Sequence, residues 1–305
     1  MTADGLSVAA AVLLGFGLDR AVREPPAAVH PVAWFGRAVD ALDREYRYPR
    51  AAGTAIAVAL PLGAAGVAYG GVRLARLAHP AVAAVSAGLV LWTTTSLRLL
   101  LEAGERVVDA SDDDPAAARE TLPMLVGRDA SDLSPGLVRS AAVESLAENL
   151  SDGLVAPLSA FAVLSVVSLP AAAAAAAAVK AVNTSDSILG YPGPLGWGSA
   201  RLDDLVMAVP ARATALLVGL AAGDPDAPLR ARRYARVPSS PNAGWPMGAL
   251  AAALNVRLEK PGAYALNEVA DYPTVEDGRR AVGAVRRAGV AAVGAAALVG
   301  VLRWL

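Results

Sequence analysis

The side chains best equipped for chemistry fall in two stretches, AAVESLAENLSDG from Ala141 to Gly153 and AVNTSDSILGYPGPLGWGSARLDD from Ala181 to Asp204. In the first, Glu144 and Glu148 are four apart, so a helix sets them on one face, and Asp152 extends the row if the helix continues. Like charges at that spacing weaken an isolated helix, so the row calls for a cation: a metal, a substrate ammonium or an Arg. Read as structure alone, it is a solvated acidic face with Asp152-Gly153 as a helix end.

In the second stretch Asn183 and Asp186 lie three apart near a helix end, with Thr184, Ser185 and Ser187 close by. The Gly and Pro loop GYPGPLGWG has bare backbone that can approach an anion, and Arg201 then stands beside Asp203 and Asp204. Such a set suits a phosphorylated ligand with a divalent cation: Arg grips phosphate through two hydrogen bonds while Asp203 and Asp204 hold the metal. One of these two aspartates is expected to cap a helix beginning at Leu205. Two smaller motifs add His30, in VHPVAWFG, and Asn242, in VPSSPNAGWP. A lone His between prolines and aromatics is more readily structural than catalytic, although it can bond a phosphate or move a proton. The second motif is a plain turn or, given Trp245, a rigid loop at a site.

These polar islands stand in an apolar chain. Of 305 residues 55% are hydrophobic and 18% charged, with a mean hydropathy of +0.44, which points to a membrane protein. A net charge of -1 with no basic stripe excludes a nucleic-acid partner. The absence of Cys excludes disulfides, a thiolate nucleophile and thiolate metal sites, and two His are too few for a multi-His centre. Any metal is then a hard cation held by oxygen, Mg²⁺ foremost.

The elements that must position the islands form an all-α, polytopic membrane bundle with amphipathic surface helices and polar loops. A single membrane-embedded domain, 1–305, is expected, with apolar segments at about 5–18, 51–72, 77–97, 154–179, 205–222 and 288–305. The first reads as a retained helix, not a cleaved signal. Val32 to Tyr46 reads as a surface helix anchored by Trp34, Val39 and Leu42. Six Arg between Arg20 and Arg50 favour the cytoplasmic face. Arg73 to Arg76 reads as a tight hairpin between two spans. Asp114-Pro115 and Ser134-Pro135 are helix starts, the latter opening the helix of Glu144 and Glu148. Gly223 to Arg287 reads as a mixed, Arg-rich soluble portion, followed by a short apolar helix from Ala288 with Arg303 and Trp304 as an interfacial anchor. If Leu154 to Val179 were one straight span, the islands would lie on opposite faces of the membrane. Pro170 allows a re-entrant hairpin instead, which brings them together.

AAVESLAENLSDGLVAPL, KAVNTSDSILGY, GSARLDDLVMAVPARATALL, SPNAGWPMGALAAAL and HPVAWFGR together resemble the CobD/CbiB family of cobalamin-biosynthesis membrane proteins, the adenosylcobinamide-phosphate synthases. The match runs in order through nearly the whole chain. Two departures stand out: the charged insertion that follows the Gly-Tyr pair in the family is here a short PGPLGWG after Gly190-Tyr191, and the early turn is Arg23-Glu24-Pro25-Pro26.

The resemblance implies a multi-pass enzyme of the cell membrane that joins aminopropanol, or its phosphate, to a propionate carboxylate of adenosylcobyric acid, with ATP as cosubstrate and Mg²⁺. On that basis Asp203 and Asp204 hold the metal, with Asn183 and Asp186 completing that site, and Arg201 holds a phosphate. Glu144 or Glu148 takes the amine proton; Asn149, Asp152 and Asn242 position the corrin side chain or the amine. The site faces the cytoplasm, lipid surrounds it, and the resemblance leaves room for association with other cobalamin-assembly membrane proteins. No P-loop is present. Two other classes compete. A membrane phosphotransferase or prenyltransferase lacks its repeated acidic motifs here, and a transporter of an anionic compound would carry its polar residues at mid-span.

Overall fold

The computed structural model describes residues 4–126 and 131–302. In chain order the helices are α1 (Asp4–Val22), α2 (Pro31–Asp40), α3 (Pro49–Ala78), α4 (Pro80–Thr94), α5 (Arg98–Asp113), α6 (Pro115–Thr121) and α7 (Pro135–Leu150). A π-helical turn, Ser151–Val155, follows, and then α8 (Ala156–Leu164), α9 (Leu169–Leu189), α10 (Trp197–Val206), α11 (Ala208–Ala221), α12 (Ala227–Ala231) and α13 (Gly244–Leu254). A two-stranded hairpin, β1 (Leu258–Lys260) with β2 (Tyr264–Leu266), precedes α14 (Val275–Leu302). Pro49–Ala78, Pro80–Asp113 and Val275–Leu302 are long and apolar enough to cross a membrane, and α10 with α11 makes a fourth if the pair is one span. This is an all-α membrane protein.

The chain divides into two compact units: Met1–Ser96, Asp152–Met207 and Ala292–Leu305 form one, and Leu97–Ser151 with Ala208–Ala291 the other. The first is built around α9, which packs against α2, α3, α4, α8 and α10. Its alanine run makes that possible, because Ala172, Ala173 and Ala176 are fully buried and small side chains let helix backbones approach closely.

Leu154 to Val179 folds back on itself. The nine residues of α8 rise about 14 Å before a bend at Ser165–Ser168 sends the chain back along α9 against α8. Ser168 caps α9 by accepting from the Ala171 amide at 3.2 Å, and Pro170 occupies the first turn, where a missing N–H costs nothing. Val163, Val166 and Val167 stand exposed around the bend.

The second unit is centred on α7, whose residues from Ser140 to Ala147 are all buried. Asp114 and Ser134 cap α6 and α7, each with Pro in the first turn, as their sequence suggests.

Several boundaries differ from expectation. Arg73 to Arg76 form no turn: arginine is a good helix former, and α3 continues to Ala78 until Pro80 starts α4, capped by the His79 imidazole. The surface helix stops at Asp40, with Val39 and Leu42 packed inward, whereas Trp34 faces out and donates its indole N–H to the Ala28 carbonyl at 2.9 Å. The last helix begins at Val275, not Ala288. Thr274 and Asp277 form a reciprocal cap, the Asp277 amide donating to Thr274 at 3.2 Å and the Thr274 amide to Asp277 at 3.1 Å. Its first half carries the arginines expected in a soluble portion, with Arg279 pairing with Asp109 at 2.8 Å and Arg286 with Glu105. The proposed anchor at Arg303 and Trp304 lies outside the described residues.

Candidate functional site

In the first unit the α8–α9 hairpin determines which side chains meet. Asp152 lies about three and a half turns before the bend and Asn183 about four turns after it, so the two legs return to one level. There the Asn183 amide donates to an Asp152 carboxylate oxygen at 3.2 Å. The last residues of the first polar stretch therefore meet the second through this bond, while Glu144, Glu148 and Asn149 belong to the other unit. Asp152 sits in the π-helical turn, a widening that re-aims side chains and recurs at functional sites.

Lys180, one turn before Asn183 on α9, is drawn into the same group. Burial lowers its pKa from the ordinary lysine value, while the charges of Asp152 and Glu24 act against that loss. Glu24 in turn approaches His30, Oε2 to Nε2 at 3.5 Å, and the other imidazole nitrogen of the buried His30 accepts from the Val32 amide as the cap of α2. HPVAWFG thus reaches the cluster through Glu24. SSPNAGWP lies in the other unit.

Asp186 occupies the next turn of α9. Its Oδ1 is buried with no hydrogen-bond partner among the described residues, and burial, followed by the charge of Asp204, raises its pKa above the ordinary carboxylate value. A Cβ on Gly190 would lie 1.9 Å from that oxygen, and one on Gly196 would lie 2.1 Å from the Leu189 carbonyl. The glycines at both ends of the loop are therefore required by the chain's own close approach, which keeps Asp186 beside the start of α10.

On α10, Asp203 is buried, and Asp204 is half-buried and paired with the exposed Arg201 at 3.0 Å. Neither aspartate caps a helix at Leu205. The helix has already begun at Trp197, after Gly196, and runs unbroken to Val206, so both lie in its interior.

These carboxylates bear on Mg²⁺. Among the described residues no three or more Asp, Glu or His side chains converge as a metal cage. The cluster nevertheless offers hard oxygen donors in the neighbouring carboxylates of Asp203 and Asp204 on α10. One or two carboxylates with substrate phosphate oxygens is the usual arrangement for Mg²⁺, so the donor set fits that ion when phosphate supplies the rest.

The remaining sequence candidates lie in the second unit. Glu144 does not face solvent: it is 4% exposed, its Oε1 accepts from Ser140 at 2.8 Å and its Oε2 from the Tyr264 hydroxyl at 2.7 Å. Ser140 also accepts from the Glu259 amide at 2.6 Å, so the group fastens the β-hairpin onto α7. Glu148 and Asn149 are half-buried, and Asn149 donates to the Leu125 carbonyl at 3.3 Å. Asn242 is buried and accepts from Arg212 at 3.2 Å, whose guanidinium lies 4.8 Å from the centre of the Trp245 ring.

Sequence reasoning passed over Lys180, Glu24 and Tyr264. The first had a signal: the chain contains only two lysines, and one of them interrupts an alanine run three residues before Asn183. Glu24 was hidden in a Pro-rich turn, and Tyr264 in a strand too short to show a period.

Comparison with known proteins gives a consistent result. The profile of the family described as "CobD/Cbib protein" matches residues 12–292. A protein of Methanothrix thermoacetophila named "Probable cobalamin biosynthesis protein CobD" is 35% identical, the match covering 95% of this chain and 96% of that one. The "Cobalamin biosynthesis protein CobD" of Mycobacterium tuberculosis is 41% identical over 89% of this chain and 86% of its own, and that of Geobacter metallireducens 38% identical over 91% and 88%. No solved structure matches the chain.

Proposed function

Since the chain belongs to the CobD/CbiB family of cobalamin biosynthesis proteins, we propose that it is an amide-forming ligase of the membrane. It would join aminopropanol, or its phosphate, to a propionate carboxylate of adenosylcobyric acid with consumption of ATP. The observation that carries this reading is the Asp152 to Asn183 bond, which gathers a lysine and several carboxylates of contrasting environment in one group.

Amide formation needs an oxygen of the propionate turned into a leaving group. Transfer of the terminal phosphoryl of ATP to that oxygen gives an acyl phosphate and ADP. The amine then attacks the carbonyl carbon, inorganic phosphate departs with the former carboxylate oxygen, and the ammonium protons must be removed. Asp186 is suited to take such a proton: its raised pKa brings it nearer the working pH, and it has an oxygen with no other engagement. Lys180 and Arg201 supply positive charge for phosphoryl oxygens, Arg201 by leaving Asp204. Asp203 and Asp204 would hold Mg²⁺, which when bound neutralises charge developing on the transferred phosphoryl group. Asn183 fixes the orientation of Asp152, and His30 stays with Glu24 beside Lys180 as a contact for substrate phosphate.

In the other unit, Glu144 has both oxygens engaged and is assigned to holding the β-hairpin. The arginine-rich segment from Arg20 to Arg50 supports a cytoplasmic site. The test is to incubate proteoliposomes holding the protein with adenosylcobyric acid, ATP, Mg²⁺ and either amine, and to identify the product by mass. Formation of the amide in one arm also names the donor. No amide in either arm, from protein shown to be folded, sinks the reading.

A further inference from the structure

An open recess of about 940 Å³ lies at the start of α3, lined by none of the cluster's carboxylates and unused by the reaction above. Arg47, Tyr48 and Arg50 line it at the helix start, and Ala51, Ala55 and Val58 along the first turns of α3. These residues belong to a helix long enough to cross a membrane, an apolar 18-residue stretch of which is only 17% buried, with Val58, Leu62, Val67 and Leu74 exposed. A helix exposed on both sides in this way needs acyl chains around it. At its top stand Tyr48 and, at the start of α10, Trp197, both well exposed, aromatic types that settle at the headgroup level of a bilayer.

The charges at this rim are unbalanced. Among the described residues neither Arg47 nor Arg50 forms an ion pair; Arg47 lies 5.3 Å from the Tyr48 ring centre and Arg50 4.0 Å from that of Trp197. Each guanidinium thus lies near an aromatic ring while its donors stay available. Tyr48 gives α3 no side-chain cap, so the positive end of the helix dipole adds to the two arginines.

We propose that this recess binds one anionic phospholipid, its phosphate held between Arg47 and Arg50 and an acyl chain lying over Ala55 and Val58. The lipid would brace the helix that carries the carboxylates. Arg50 stacks on the first residue of α10, and the next, Gly198, lies so close to α3 that a Cβ there would stand 2.7 Å from the Thr54 Cα.

The test is native mass spectrometry of the full-length protein, stripped of lipid in detergent and then offered phosphatidylglycerol or phosphatidylcholine. One phosphatidylglycerol per chain should be retained, at least tenfold more tightly than phosphatidylcholine. Arg47→Gln with Arg50→Gln should abolish that preference, and Arg47→Gln alone, which spares the stacked Arg50, should weaken it severalfold. Arg232→Gln with Arg233→Gln, on exposed arginines of the other unit, should leave it unchanged. Equal retention of the two lipids, undiminished retention by the double variant, or displacement by excess inorganic phosphate would overturn the assignment.

Discussion

The two units each bury a carboxylate on a helix, and they treat it in opposite ways. Glu144 in α7 has Ser140 on one oxygen and Tyr264 on the other, so its desolvation is offset by bonds from the chain itself. Asp186 in α9 leaves one buried oxygen with no bond, lies near the charge of Asp204, and has its pKa raised by both burial and that charge. An unsatisfied buried polar atom is a cost that a fold retains where a ligand or reaction uses it. The satisfied carboxylate is a fastening, and the unsatisfied one is the better candidate for chemistry.

This contrast can be broken by substitution. Asp186→Asn and Asp203→Asn should each lower amide formation on the order of 100-fold, the scale of losing a proton acceptor or a charge partner in the transition state, with no loss of thermal stability. The pH profile sharpens the point for Asp186. Its raised pKa means the base form is lost below a pH higher than that of an ordinary carboxylate, so activity should fall as pH decreases through that value. The Asn variant should show no such limb.

Lys180→Met should cost less, about tenfold, and should appear mainly in the KM for the phosphorylated substrate, because it removes a charge that binds without reacting. Tyr264→Phe should act the other way round. Freeing one Glu144 oxygen should lower stability by about 1–3 kcal/mol, read as a shift of the denaturation midpoint, with kcat changed less than threefold where the protein is folded.

Much of the architecture behind this contrast is legible in the residues themselves. The family motifs mark both polar stretches, and the fold-back expected between Leu154 and Val179 is made by α8 and α9, with its bend at Ser165–Ser168 and Pro170 in the first turn of α9. The capped starts of α6 and α7 are written in Asp114-Pro115 and Ser134-Pro135, since local chemistry decides local geometry. Glu144 and Glu148 are the hard case. Spacing places them on one helix face but says nothing of what packs there, and the partners of Glu144 come from a hairpin more than a hundred residues away. Arg73 and Arg76 mislead for a related reason, because charge suggests a turn while helix propensity permits none.

The most direct test of the account compares amide formation by Asp186→Asn, Asp203→Asn and Tyr264→Phe in one proteoliposome assay, at a temperature where all three are folded. The account predicts that the two aspartate variants lose most of their turnover while Tyr264→Phe stays within threefold of the parent. Near-parental turnover in both aspartate variants would contradict it and remove the chemistry from this cluster.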